Sequence, residues 1–165
     1  MTEAFFRDAL DALVGFLPDD LGPFEARIHS RGLKVWFGDE RREHYEAQEV
    51  GRFAQGADEG SGHAIEIGFH TEHSDPARNA DVVDHLLAHE KRWRKPLGAE
   101  AEAGYFVGDR SKTWQRVSEF WTGPEIEEPD AAIEAADRLA TYIAALEPVR
   151  RARPVSQPGG AGGAG

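Results

Sequence analysis

From Thr2 to Leu17 apolar residues recur every three or four positions, as Phe6, Leu10, Leu13 and Leu17 with Phe5, Ala9 and Phe16 beside them. That period lays one apolar stripe along a helix, and Pro18 with Asp19 and Asp20 marks its end. The period then drops to two. Phe24, Ala26 and Ile28 alternate with Glu25, Arg27 and His29; after an Arg31-Gly32 turn, Leu33, Val35 and Phe37 alternate with Lys34 and Trp36. These runs predict a hairpin of half-buried strands. Glu43 to Val50 reads as a weaker third strand. Gly51 to Gly62, with four glycines and one large apolar residue, Phe53, reads as a loop.

His63 to Glu72 has the clearest alternation: Ile65, Ile67, Phe69 and Thr71 share one face, and Ala64, Glu66, Gly68, His70 and Glu72 the other. Ser74-Asp75-Pro76 joins a capping side chain to a proline suited to the first helical position. It predicts a helix to about Lys95, ended by Pro96 and Gly98. Glu100 to Val107 and Lys112 to Trp121 read as two further strands, joined through Gly108-Asp109-Arg110. A last helix opens at Pro129 and ends at Pro148; Pro154 to Gly165, rich in Pro, Gly and Ala, is expected to be disordered.

This order predicts a two-layer α+β fold: a mainly antiparallel sheet of about six strands, with helices over 2–17, 76–95 and 129–147 packed mainly on one face. Ile65, Ile67, Phe69, Leu86 and Leu10 are its expected core. Residues 1–149 read as a single domain and 150–165 as a disordered tail, in which Arg150, Arg151 and Arg153 are solubilising.

Composition narrows the function classes. The chain of 165 residues has no cysteine, which excludes disulfides, thiolate metal sites and cysteine nucleophiles. A net charge of −11 repels a phosphate backbone and argues against nucleic acid. No apolar run is long enough to span a bilayer, and the start, with Glu3, Asp8 and Asp11, lacks the pattern of a secretory signal. The expectation is a cytoplasmic protein with no membrane contact. Fifteen arginines against four lysines, with a single asparagine, suit a GC-rich bacterial genome.

Candidate chemistry centres on histidine, since five of the seven lie between His63 and His89. His85 and His89 are one helical turn apart, but a continuous wheel over 76–95 puts both on the flank of the apolar face, and the His-Glu-x-x-His motif is absent. His70, Glu66 and Glu72 share one strand face. A structural zinc there needs four ligands, which a cross-strand neighbour such as His29 or Glu46 would have to complete; the simpler reading is polar decoration of a solvated sheet face. The same wheel centres Glu90 on the apolar face, which predicts a buried carboxylate paired with Arg116 or Lys112. Trp36 falls on the polar side of its strand, where an exposed aromatic suits a protein contact. No nucleophile elbow, phosphate loop or dinucleotide fingerprint occurs. The expectation is therefore no catalytic residue, no cofactor and no metal.

The stretch His-Ala-Ile-Glu-Ile-Gly-Phe-His, the helix with Asn79 and Trp93, and Trp-Gln-Arg-Val-Ser-Glu-Phe-Trp together resemble small uncharacterised bacterial α+β domains. The element order is similar to the type III secretion chaperone-like fold, with one strand more; that resemblance implies an acidic dimer that binds other proteins. The leading expectation is a non-enzymatic acidic domain that binds a protein or peptide, or a second copy of itself, using Trp36, Glu66, His70, Glu90 and Arg116. The alternative is a small-ligand or metal-assisted enzyme using the Glu66/His70/Glu72 region or Glu90.

Overall fold

The computed structural model describes residues 1–50, 64–106, 109, 111–122, 126 and 128–154. The glycine-rich loop, the Gly108-Asp109-Arg110 connection apart from Asp109, and the tail beyond Pro154 lie outside the described residues. Helix α1 (Glu3–Phe16) is capped by Thr2, whose hydroxyl accepts from the Phe5 N–H. Strands β1 (Glu25–His29), β2 (Gly32–Trp36), β3 (Glu43–Val50) and β4 (Ala64–Thr71) follow, then helices α2 (Pro76–Ala88) and α3 (Glu90–Leu97), strands β5 (Glu102–Tyr105) and β6 (Gln115–Thr122), and helix α4 (Ala131–Arg151). The sheet has order β1-β2-β3-β4-β6-β5 and every pairing is antiparallel. The predicted α+β class and six strands are therefore observed, with four α-helices rather than three.

Helices α1, α2 and α4 lie against one face of the sheet. Beneath them Leu33, Val35, Tyr45, Ile65, Ile67, Phe69 and Val117 pack with Phe6, Leu13, Leu86, Leu139 and Ile143, all essentially without exposure. Leu10 sits at the margin of this core, partly buried. Burying side chains of that size stabilises a fold by about 1.5–3 kcal/mol each.

The predicted helix 76–95 is broken at His89, where φ −112° and ψ 19° leave the helical range. The Trp93 indole N–H donates to the Leu86 carbonyl at 2.8 Å, supplying a partner in the last turn of α2. The break rephases α3: Trp93 stays buried and Glu90 turns outward. Glu90 is 45 % exposed and accepts from Arg94 one turn on, at 2.5 and 2.9 Å, so the expected pairing with Arg116 does not form. A continuous 100° wheel fails once a helix is interrupted.

Pro148 does not end the last helix, which runs on to Arg151. The last turn is held from outside. Arg150 and Arg151 bond Glu147, and Arg150 and Arg153 bond Glu43 on β3. These arginines are structural ion-pair partners rather than a solubilising tail. Asn79 is fully buried at the start of α2. Its amide accepts from the Thr71 hydroxyl and the His73 N–H and donates to the His73 and Thr113 carbonyls, at 2.7–2.9 Å. It thereby ties the end of β4 to α2 and to the approach of β6.

Candidate functional site

Strand register builds a grid of polar side chains on the sheet face opposite the helices. Lys34 on β2 stands beside Glu46 on β3, then Gly68 on β4 and Ser118 on β6. In the row on one side His44 faces His70, which faces Arg116; in the row on the other side Gln48 faces Glu66. Gly68 has no side chain at the centre of this grid. With φ +157°, a Cβ there would lie 2.4–2.5 Å from Val117 O and from Ser118 Cα and Cβ. Glycine thus permits the close approach of β6, and the neighbours on all sides converge over it.

This face is buried. His44, Glu46, Glu66, His70 and Ser118 are at most 1 % exposed, which corrects the expectation of a solvated polar face. Trp36, expected as an exposed contact residue, is also buried, with the Arg41 guanidinium 5.4 Å from its ring centre. Phe106 packs edge-on against the His70 ring at 5.3 Å. Buried charge is costly unless partnered, so each pairing carries information.

Glu46 is the hub. Its Oε1 lies 3.0 Å from His29 Nε2. Its Oε2 is approached by His70 Nδ1 at 3.2 Å, His44 Nε2 at 3.3 Å and Lys34 Nζ at 3.3 Å. Lys34 also bonds both oxygens of Glu72, at 3.1 and 3.2 Å, and His44 Nε2 is 3.6 Å from Glu72 Oε1. On the other side of His70, Nε2 lies 3.5 Å from Glu66 Oε1. Glu66 accepts from Ser118 at 2.7 Å and Gln48 at 3.0 Å, with Arg116 Nε at 3.4 Å. Of the expected cross-strand neighbours, Glu46 meets His70 while His29 reaches only Glu46, and Arg116 meets Glu66 instead of Glu90.

The electrostatics follow from burial against charge. Burial pushes the Glu46 carboxyl up, but its polar contacts with His29, His44 and His70, and the His70 charge, outweigh it and hold it well below the usual range. Glu66 is likewise lowered: burial opposes, and the His70 charge and close contact, the Ser118 hydrogen bond and Arg116 prevail. Burial disfavours the His70 imidazolium, yet Glu66 and Glu46 raise it to about 9. Burial, with the charges of Lys34 and His70, lowers His44 despite Glu46.

His44 is the telling residue. Its Nδ1 faces the Arg41 carbonyl at 3.1 Å. A carbonyl only accepts, so Nδ1 carries the proton. The neutral ring then turns the Nε2 lone pair toward two carboxylate oxygens. Lone pair against carboxylate is repulsive unless a cation lies between them. His70 differs in charge, because its carboxylate neighbours favour the imidazolium; it is fully buried, both nitrogens lie at ion-pair distance from carboxylates, and neither makes a well-aligned hydrogen bond.

One ligand atom from each of His44, Glu46, His70 and Glu72 lies within 4.8 Å of every other. His85 and His89 take no part, since His85 Nε2 bonds the Val149 carbonyl and His89 Nδ1 the His85 carbonyl. Sequence reasoning named Glu66, His70 and Glu72 but missed His44 and Lys34. The available signal was His44-x-Glu46, which places both on one strand face, opposite Glu66-x-Gly68-x-His70. A second buried polar group, under α4, joins Glu43, Glu147, His73 and Tyr45 to Arg150, Arg151 and Arg153. There every carboxylate is matched by arginine.

Comparison with known protein families, with curated protein sequences and with solved structures gave no match in any of the three. Among the described residues no helix is long and apolar enough to cross a membrane.

Proposed function

We propose that this protein binds a divalent transition metal ion, with His44 Nε2, Glu46 Oε2, His70 Nδ1 and Glu72 Oε1 as ligands. The observation that carries the reading is the His44 tautomer: a lone pair held by a backbone carbonyl to face two carboxylates. Metal-bound histidines have this arrangement, the outer nitrogen donating to a carbonyl or carboxylate while the inner one ligates. His70 has the carboxylate version, with Glu66 behind it. His29 plays the same part for Glu46, holding one oxygen and leaving the other toward the cluster.

The spacing supports the same conclusion. Ligands about 2.0–2.2 Å from zinc at tetrahedral corners are about 3.3–3.6 Å apart. The Glu46–His70, Glu46–His44 and His44–Glu72 separations are 3.2, 3.3 and 3.6 Å. Imidazole with carboxylate suits zinc and its neighbours in the first transition row. The metal-free expectation rested on the flank positions of His85 and His89, which lie outside this cluster, and on the lack of a fourth ligand beside His70, a place that His44 and Glu46 fill in this reading.

The test is equilibrium dialysis of chelator-stripped protein against zinc or cobalt(II), with elemental analysis and the visible spectrum of the cobalt form. About one ion per chain is expected, with low-coordinate cobalt bands. His44→Gln and Glu72→Gln should each weaken binding. Glu72 is the most exposed of the four ligands, so its variant disturbs the fold least. Failure to retain either metal, or equal binding by the doubly substituted chain, overturns the proposal.

One observation favours a second reading, contact with a peptide. Among the described residues β5 pairs only with β6, and Tyr105 on it is half exposed with Trp114 nearby. An open edge of this kind can accept an added strand. Crosslinking with mass spectrometry, using Tyr105→Lys as control, tests it: a partner recovered equally by both chains overturns this reading.

A further inference from the structure

We infer that Lys34 is the internal counter-cation of this site, holding its carboxylates together in the metal-free chain and leaving them when metal enters. The inference rests on the metal-binding reading above. Lys34 Nζ lies 3.3 Å from Glu46 Oε2 and 3.1 Å from Glu72 Oε1, the same two oxygens assigned to the metal. Its position is set by register, because Lys34 is the direct cross-strand partner of Glu46 on β3. Only the ammonium end reaches the cluster.

The chemistry requires a cation at that point. Glu46 is essentially buried, Glu72 is four-fifths buried, and the His44 lone pair faces both. Without a positive charge between them the carboxylates repel each other in a medium of low dielectric. An ammonium is a compact point charge on a flexible stem that meets this need without directional ligation. A doubly charged metal ion bound to the same oxygens meets it better, and it repels the ammonium. Both cations cannot share these lone pairs at close range. Lys34 can withdraw because its side chain is already 26 % exposed, so the displaced ammonium regains water instead of remaining buried and unpaired.

Metal uptake therefore displaces the ammonium and releases the His70 Nδ1 proton to solvent, since an imidazolium nitrogen has no lone pair to ligate with. The lysine lowers apparent affinity, and it favours ions that bind imidazole strongly over hard ions that compete for carboxylate alone. Calcium and magnesium, which take oxygen ligands, gain nothing from His44 and His70 to offset the lost ammonium contacts.

The chain has only four lysines, and Lys91, Lys95 and Lys112 are exposed. Limited acetylation with peptide mapping therefore reads Lys34 against three internal references. In chelator-treated protein Lys34 should be labelled several-fold more slowly than the others. Saturating zinc should speed its labelling severalfold and leave the other three unchanged. In parallel, Lys34→Gln should bind zinc at least tenfold more tightly than the parent chain and should gain measurable calcium binding. Zinc bound by the parent chain with unchanged Lys34 labelling and equal affinity in Lys34→Gln overturns the exchange while leaving the metal site standing. Zinc taken up by Lys34→Gln but not by the parent chain overturns the exchange, because the lysine then never yields the carboxylates to a metal. Zinc taken up by neither chain overturns the metal reading and this inference together.

Discussion

Replacing Glu66 with glutamine keeps volume and shape and removes one negative charge from the most deeply buried part of the sheet. In the metal-free chain three carboxylates, Glu46, Glu66 and Glu72, face three cations among the described residues: Lys34, His70 and Arg116. Glu66→Gln leaves that balance one positive charge in excess. The amide can still accept from Ser118, but Arg116 Nε and His70 Nε2 lose their carboxylate. Arg116 is about 8 % exposed and its remaining acidic neighbour, Glu102, is 3.8 Å away and largely exposed. Removing one partner from a buried ionic network costs about 3–5 kcal/mol. In a chain of this size each kcal/mol lowers Tm by about 2–4 °C, so Tm in chelator should fall by ~6–20 °C. The assay is thermal unfolding by circular dichroism. The same variant should bind zinc with unchanged stoichiometry and roughly 10–100-fold lower affinity, the usual cost of losing a carboxylate behind a ligating histidine. A Tm within about 2 °C of the parent would refute the charge accounting, and an unchanged zinc affinity would show that Glu66 does not support His70 as a ligand.

Glu90→Gln should be nearly silent, because a half-exposed pair one helical turn apart is worth about 0.3–0.5 kcal/mol; a Tm loss above about 5 °C would restore a buried role. Asn79→Ala strands the Thr71 hydroxyl, the His73 N–H and two carbonyls, each costing about 1–3 kcal/mol if left unpaired, so a loss of at least ~3 kcal/mol in urea unfolding is expected and a loss below ~1 kcal/mol would contradict the hydrogen-bond assignment. The metal-free chain should also lose stability in alkali. The folded His70 sits at about 9 against 6.5 unfolded, so its contribution is complete below 6.5 and is lost as pH rises through 9. A His70→Gln chain should show a flatter Tm profile between those values, and parallel profiles would refute the assignment.

Local patterns were sufficient to identify the α+β class, the six strands and the start of α2, because each element carries its own signal. Alternation over Ala64–Thr71 marks a strand whatever surrounds it, and Asp75-Pro76 caps a helix by covalent geometry and one side-chain bond to Ala77. The sequence alone also placed Glu66 and His70 on one face, since that follows from the two-residue period of the strand. Tertiary structure decided the rest. The break at His89, beside which Trp93 is buried with its indole on the Leu86 carbonyl, left Glu90 turned outward and a continuous wheel wrong. Arg150, Arg151 and Arg153 became structural only because β3 carries Glu43 to the end of α4. The burial of the polar sheet face was not legible either, because polar residues at alternate positions look the same on a solvated face and on a charge-balanced buried one. The cluster itself required register. His44, Glu46, His70 and Glu72 meet because β3 pairs with β4 in one alignment, and a slip of one residue would send half of them to the opposite face.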